Sequence, residues 1–155
     1  FSLVREKIKA KLILVGDGPE RSECERLCRE LGITEHVKFM GKQDSLPEIL
    51  SIADLFIMPS QSESFGLSAL EAMSCEVPVI SSSVGGLPEL NLHGKTGYIA
   101  EFGDVERMAK YAVELLSNDK KYYLFQKNAR ERAEYFNEEK IIGVYEKFYE
   151  KILGE

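Results

Sequence analysis

The sequence predicts an α/β fold, a Rossmann-like, doubly wound parallel sheet followed by C-terminal helices. Short apolar runs alternate with helical patterns through the first two thirds of the chain. Glycine-bearing turns follow these runs, at the carboxyl ends of strands where open parallel sheets bind ligands. Past Asp104 the apolar pattern is helical only. These observations favour one sheet domain with helices added at its end.

The first strand is expected in the run KLILVG, Lys11 to Gly16, whose continuous apolar character is typical of a strand buried on both faces. Phe1 to Lys9 has no helix start signal, so we expect it to be the end of a helix with further chain upstream. The other expected strands are Val37 to Met40, Asp54 to Met58, Val77 to Ser81 and Gly97 to Ala100. The expected helices between them are Glu20 to Leu31, Ser45 to Ile52, Phe65 to Cys75 and a short one at Pro88.

Three helices are expected after the sheet. Asp104 is a suitable N-cap for Val105 to Leu116, and a second helix follows from about Asp119 to Tyr135. Asn137 can cap the last, Glu138 to Leu153, which carries an aromatic and aliphatic stripe at helical spacing.

Length and composition exclude several classes of protein. The chain has 155 residues, 44% of them hydrophobic, which suits one domain with a single core. A net charge of −6 argues against nucleic-acid or polybasic membrane partners. No apolar run approaches the roughly 18 residues of a membrane span. Three cysteines without metal-ligand spacing favour a reduced, cytoplasmic setting.

The central stretch, Pro59 to Cys75, predicts an anion-binding turn. Ser64 suits the N-cap of the following helix, but no Glu or Gln completes a capping box, so the amides of Phe65, Gly66 and Leu67 are expected to be free. Free N–H groups at a helix start carry partial positive charge, and phosphate is their commonest occupant. Gly66 would let a ligand come close.

Two carboxylates flank the start of this helix. Glu63 lies just before the turn, and Glu71 forms a polar stripe with Ser68 and Ser74 on an otherwise apolar helix. The stripe must face water or a cleft. The ordinary alternative is that Glu63 only favours the helix dipole, by about 0.3–1 kcal/mol, and that the stripe is a solvated face.

Other glycine turns are weaker candidates. Gly16-Asp17-Gly18 lacks the third glycine of a dinucleotide fingerprint, so it indicates a strand-to-helix turn that could contact a ligand. Gly85-Gly86 opens another short helix. The serines include no G-x-S-x-G elbow, and neither a P-loop nor a zinc spacing occurs.

The run ESFGLSALE, from Glu63 to Glu71, resembles the E-x7-E signature of retaining GT-B glycosyltransferases of family 4. It is followed by EAMSCEVPVI and SSVGGLPE in the order that the family shows, and the resemblance extends from KLILVGDGPE to GKTGYIAEFGD. It implies a C-terminal, donor-binding domain and a nucleotide-sugar substrate. It also implies a retaining hexosyltransferase that needs no cofactor and no essential metal.

The resemblance assigns roles residue by residue. Glu63 would act at the reacting sugar as the catalytic carboxylate, and Glu71 would bind the ribose. The remaining donor-binding residues implied are Phe65, Gly66, Leu67, Gly16, Lys42 and Gly86, with Met40 to Gln43 beside the nucleobase. In the mechanism usually proposed for the family, the leaving phosphate takes the acceptor proton. The two glutamates are therefore not a glycosidase acid and nucleophile pair.

The sequence of these motifs most resembles that of the branch of the family that uses UDP-N-acetylglucosamine as donor and L-malate as acceptor. The family's first strand and its acceptor domain would precede Phe1, so residues 1–155 are expected to be an N-terminally truncated donor domain, inactive alone. The absent strand would lie between Lys11 to Gly16 and Asp54 to Met58, leaving an incomplete sheet.

The sequence leaves several alternative functions open. One is another hexose donor with a polysaccharide or lipid acceptor, and another is a noncatalytic nucleotide-sugar-binding module. A third is a flavodoxin-like domain, which would share the fold but would not need Glu63. Besides the donor and the N-terminal acceptor domain, a homo-oligomeric partner is also left open.

Overall fold

The structure is a computed structural model that describes residues 1–154. It contains five strands, namely β1 (Leu12–Val15), β2 (Val37–Gly41), β3 (Phe56–Met58), β4 (Val79–Ser82) and β5 (Gly97–Ala100). The eight α-helices are α1 (Ser2–Arg5), α2 (Arg21–Glu30), α3 (Pro47–Leu50), α4 (Leu67–Ser74), α5 (Leu87–Leu90), α6 (Val105–Leu116), α7 (Asp119–Tyr135) and α8 (Glu138–Leu153). A 3-10 turn, Thr34–His36, precedes β2. The predicted α/β class with C-terminal helices is confirmed.

The strands form two separate parallel sheets. β1 pairs with β2, in register Leu12 to Val37. β4 lies between β3 and β5, with Val79 opposite Phe56 on one side and Gly97 on the other. Because all pairings are parallel, the turns that follow β3 and β4 emerge side by side at one edge of the three-stranded sheet.

A cavity of about 760 Å³ lies between the two sheets, and both β1 and β3 line it. Ile13 and Val15 of β1 are 38% and 40% exposed, although the sequence predicts a strand buried on both faces. The expectation of an incomplete sheet, open between these two strands, is confirmed. An unpaired strand edge presents free N–H and C=O groups and readily accepts another strand.

The interior consists of two apolar clusters. The first cluster packs α4 and α5 against β4 and α7, around Met73, Val79 and Leu87. The second packs α6 and part of α7 against the other face of the sheet, around Ile80, Leu115 and Phe125. β4 is buried along its whole length, which agrees with its central position.

The boundaries of the last three helices agree with the predicted ones, and Asp104 and Asn137 accept backbone N–H groups as N-caps. Phe1 to Lys9 contains only the short helix α1, so the longer helical end predicted there is wrong. In α8 no residue is buried, and the predicted stripe, including Tyr145, Phe148 and Tyr149, is largely exposed.

Within residues 1–154, no helix is both long and apolar enough to cross a membrane. The same part of the chain brings together no group of three or more His, Cys, Asp or Glu side chains that could hold a metal ion.

Candidate functional site

The turn between β3 and α4 is organised by Gly66, which is the residue before the helix. Its φ is 98°, a left-handed conformation that side chains rarely adopt, and a Cβ there would lie 2.6 Å from Leu87 Cδ2. The helix therefore begins at Leu67, and the prediction that Ser64 caps a helix from Phe65 is wrong. Ser64 lies in the preceding turn, where its carbonyl accepts the N–H of Gly86.

The N–H groups of the three predicted residues are free in the described structure. Those of Phe65, Gly66 and Leu67 meet no acceptor within residues 1–154, whereas those of Ala69 and Leu70 donate to the carbonyl of Gly66 at 3.0 Å. The Leu67 side chain is exposed, so it does not cover this end of the helix. Free donors at the positive end of a two-turn helix form a site for an anion.

Glu63 is half-buried beside these donors. Its carboxylate accepts the N–H of Ser64 at 3.1 Å, which bends the side chain back along its own turn. The second carboxylate oxygen, Oε2, makes no hydrogen bond within residues 1–154. Glu63 can therefore accept a hydrogen bond from a hydroxyl of a ligand that lies over the turn.

The loop after β4 packs against this turn backbone to backbone. The N–H of Gly86 donates to the carbonyl of Ser64 at 3.2 Å. A Cβ at Gly85 would overlap the carbonyl of Glu63, and one at Gly86 would lie 2.6 Å from the carbonyl of Ser64. Both glycines are required for this close approach, and Gly86, a predicted donor-binding residue, is placed beside the turn.

A pocket of about 280 Å³ lies along α4. Three predicted residues line it together, Gly16 from the end of β1, Lys42 from the end of β2 and Glu71 from α4. Its other lining residues are Val15, Gln43, Leu46, Ile49, Leu50, Phe56 and Ser68. Mostly apolar walls with a few convergent polar groups are typical of a small-molecule site.

The polar stripe on α4 therefore faces a cleft for part of its length. Ser68 and Glu71 line the pocket. Ser74 lies outside it and donates its hydroxyl to the carbonyl of Glu71 at 2.7 Å. The free amides and the pocket are brought together by one helix, because Leu67 begins α4 and Glu71 lies one turn further on.

Sequence reasoning missed two residues that hold the loops around this site. Ser82 lies in β4, and its hydroxyl donates to the carbonyl of Ser60 at 2.6 Å. The buried amide of Asn91 donates to the carbonyls of Val79 and Tyr98 at 3.1 and 3.0 Å, which joins the end of α5 to β4 and β5. In the sequence, only the position of Asn91, a polar residue directly after a short helix, could have indicated such a role.

The free amides at the start of α4 and the pocket along the same helix lie at the carboxyl ends of parallel strands, where open α/β sheets bind ligands. The chain belongs to the family of glycosyl transferases group 1, whose model matches residues 1–132. The family predicted from the E-x7-E region is thereby confirmed.

Two curated relatives show the range of the family. The chain is 44% identical over 156 aligned residues to N-acetyl-alpha-D-glucosaminyl L-malate synthase of Bacillus anthracis, covering 100% of this chain and 41% of that protein. It is 36% identical over 124 residues to a GDP-mannose-dependent phosphatidylinositol monomannoside mannosyltransferase of Mycobacterium tuberculosis, covering 74% of this chain and 32% of the relative. The chain thus spans less than half the length of each.

Among solved structures, the chain is similar to HepE of Anabaena in complex with UDP. The TM-score is 0.86 at 26% identity, over 99% of this chain and 43% of HepE. The predicted Rossmann-like arrangement is therefore shared with a protein that binds UDP.

We expect Gly66→Ala to lower the free energy of unfolding by about 1–3 kcal/mol, because alanine must adopt a left-handed conformation and displace Leu87. Thermal and urea unfolding measure the change. The matched control is Gly143→Ala in α8, where φ is ordinary and a Cβ meets nothing within 4 Å, so stability should stay level or rise. Equal effects of the two substitutions would contradict this account of the turn.

Proposed function

We propose that this chain is the donor-binding domain of a retaining glycosyltransferase that transfers N-acetylglucosamine from UDP-N-acetylglucosamine to an acceptor such as L-malate. The observation that carries the proposal is the arrangement along α4, where free amides at the helix start lie one turn from Glu71, which lines the pocket. The relative from Bacillus anthracis supports the choice of donor and acceptor. The complexes of HepE with UDP and with UDP-glucose support a uridine nucleotide.

In this proposal the pocket takes the nucleoside and the helix start takes the phosphates. Glu71 accepts hydroxyls of the ribose, while Gly16 and Lys42 lie at the end of the pocket formed by β1 and β2. The amides of Phe65, Gly66 and Leu67 then face the pyrophosphate. As the glycosidic bond breaks, the nucleoside diphosphate becomes more anionic, so donors fixed on it stabilise the transition state more than the ground state.

The reaction would proceed with retention of configuration and without a protein nucleophile. The bond between the anomeric carbon and the leaving phosphate oxygen breaks, and the oxygen of the acceptor hydroxyl bonds to the anomeric carbon on the same face. The leaving phosphate oxygen takes the proton of that hydroxyl. Glu63 binds hydroxyls of the donor sugar and orients the anomeric carbon, which contributes through positioning. No essential metal is assigned, as the family resemblance implies.

The proposal further assigns the acceptor pocket to a part of the protein outside residues 1–155. The chain covers 41% of its relative from Bacillus anthracis. The slot between β1 and β3 suits a strand from that part, because each strand is paired on one side only, both line one cavity, and they carry exposed Ile13, Val15 and Ile57.

We therefore expect residues 1–155 alone not to transfer sugar, since the acceptor wall that orients the reactants and excludes water is missing. The assay incubates the purified chain with UDP-N-acetylglucosamine and L-malate and measures UDP and glycoside. The complete protein is the positive control, and circular dichroism checks that the chain is folded. Turnover by the chain at the rate of the complete protein would overturn the assignment.

Replacing Glu71 tests the nucleoside pocket. We expect Glu71→Ala in the complete protein to raise the donor KM by about 10- to 150-fold, since a charge-assisted hydrogen bond contributes about 1.5–3 kcal/mol. Steady-state kinetics with varied UDP-N-acetylglucosamine measure it. The matched control is Glu48→Ala on α3, an exposed carboxylate next to lining residues but outside the pocket, which should leave KM unchanged. An unchanged donor KM in Glu71→Ala would make Glu71 a solvated helix residue.

Replacing Glu63 tests the sugar site. We expect Glu63→Gln to lower kcat by about 10- to 100-fold while UDP affinity stays near that of the wild type, because the carboxylate lies before the amides and outside the pocket. The melting temperature should barely change. A large fall in melting temperature with kcat retained would show that Glu63 is structural.

A further inference from the structure

The C-terminal end of α7 contacts the turn that carries the free amides. Phe136, the residue that ends α7, packs its ring against Phe65 with the ring centroids 5.3 Å apart and the planes at 72°. This edge-to-face geometry is the favourable one for two aromatic rings. Both rings are half-buried beside the first apolar cluster. The side chain of Phe65 therefore has a fixed neighbour, while its N–H remains free.

Arg132, one turn earlier in α7, holds Phe136 and the end of α5 at the same time. Its guanidinium lies 4.7 Å from the centroid of the Phe136 ring, within cation–π range. Its Nε donates to the carbonyl of Leu90 at 3.2 Å, and its Nη2 donates to the carbonyl of Glu89. These are carbonyls at the end of α5, where a positive charge also meets the negative end of the helix.

These contacts connect α7 to the turn after β3, that turn to α5, and α5 back to α7. Phe136 contacts Phe65, and the carbonyl of Ser64 next to it accepts the N–H of Gly86. Gly86 directly precedes α5, and the carbonyl of Leu90 at the end of that helix accepts a hydrogen bond from Arg132. α7 itself is anchored, because Ala129 and Ala133 are buried in the first apolar cluster against α4. Neither Arg132 nor Phe136 lines the pocket.

We propose that Phe136 and Arg132 are positioning residues that hold the donor-binding turn and the Gly85-Gly86 loop in their relative orientation. This inference rests on the proposed function, since it concerns how the same site is held. The N–H of Phe65 belongs to the residue whose ring Phe136 contacts, so a displacement of the ring moves a donor of the anion site. Small displacements of groups that bind a ligand reduce rates and affinities strongly.

Substitution at Phe136 has a matched control in the same helix. Phe136→Leu removes the ring that meets Phe65 and keeps an apolar side chain. Phe125→Leu removes a buried ring of α7 from the second apolar cluster, away from the turn. Because Phe125 is the more deeply buried, its replacement should lower the melting temperature at least as much.

The readouts separate positioning from stability. In the complete protein, calorimetry should show UDP binding about 3- to 10-fold weaker for Phe136→Leu and unchanged for Phe125→Leu. With ¹⁵N-glycine labelling and no ligand, the amide signals of Gly66 and Gly86 should shift for Phe136→Leu only. Phe136→Tyr keeps the ring and should restore both properties.

Arg132 provides an independent test. Arg132→Met removes the carbonyl contacts and the cation–π contact, and should weaken UDP binding and shift the signal of Gly86. Lys127→Met, at a largely exposed position of the same helix, should do neither. Equal UDP affinity and unshifted glycine signals in Phe136→Leu and Arg132→Met would overturn the inference. If the wild type binds no UDP, the proposed function fails, while the glycine signals still decide whether these residues position the turn.

Discussion

Backbone-to-backbone packing between the turn after β3 and the loop after β4 is the contact on which the rest of the site depends. Two backbone segments can approach this closely only where a Cβ is missing. This is why Gly85 and Gly86 face the carbonyls of Glu63 and Ser64. The contact follows from the order of the sheet, because β3 and β4 are parallel neighbours and their carboxyl ends meet at one edge. Gly66, with a φ of 98°, then turns the chain into α4, whose first amides have no acceptor within residues 1–154.

The same contact explains why the start of α4 could not be predicted from local rules. Ser64 followed by an apolar run satisfies the usual N-cap pattern, but its carbonyl is already used by Gly86, and the positive φ of Gly66 starts the helix later. The last three helices were predictable because their caps and apolar periodicity lie within each segment. The exposure of Ile13 and Val15 does not follow from their own apolar run, since the burial of a strand depends on what packs beside it, and β1 pairs only with β2 within residues 1–154.

The candidate site also combines residues that a short motif indicates with residues whose partners are distant in the chain. Glu63, Gly66 and Glu71 were predicted from one short motif, and the resemblance, which also covers KLILVGDGPE and FMGKQD, added Gly16 and Lys42 from distant turns. The residues that hold the loops, such as Ser82 and Arg132, donate to backbone carbonyls far away in the chain. A carbonyl acceptor carries no sequence signature, so no pattern in the sequence could reveal these partners.

The free amides have an energetic consequence that links the fold to the proposed chemistry. Ala69, Ala72 and Met73 bury one side of α4, so the helix cannot rotate or shift to satisfy its first N–H groups. Donors that are fixed before the ligand arrives need no reorganisation when charge develops on it. The fold thus stabilises a conformation in which these groups stay unpaired within the domain, and the free energy comes from packing elsewhere in α4, α5 and α7. In the proposed function, an anion that pairs with them would recover hydrogen bonds that the domain alone leaves unmade, and the turn would favour a phosphate over a neutral ligand.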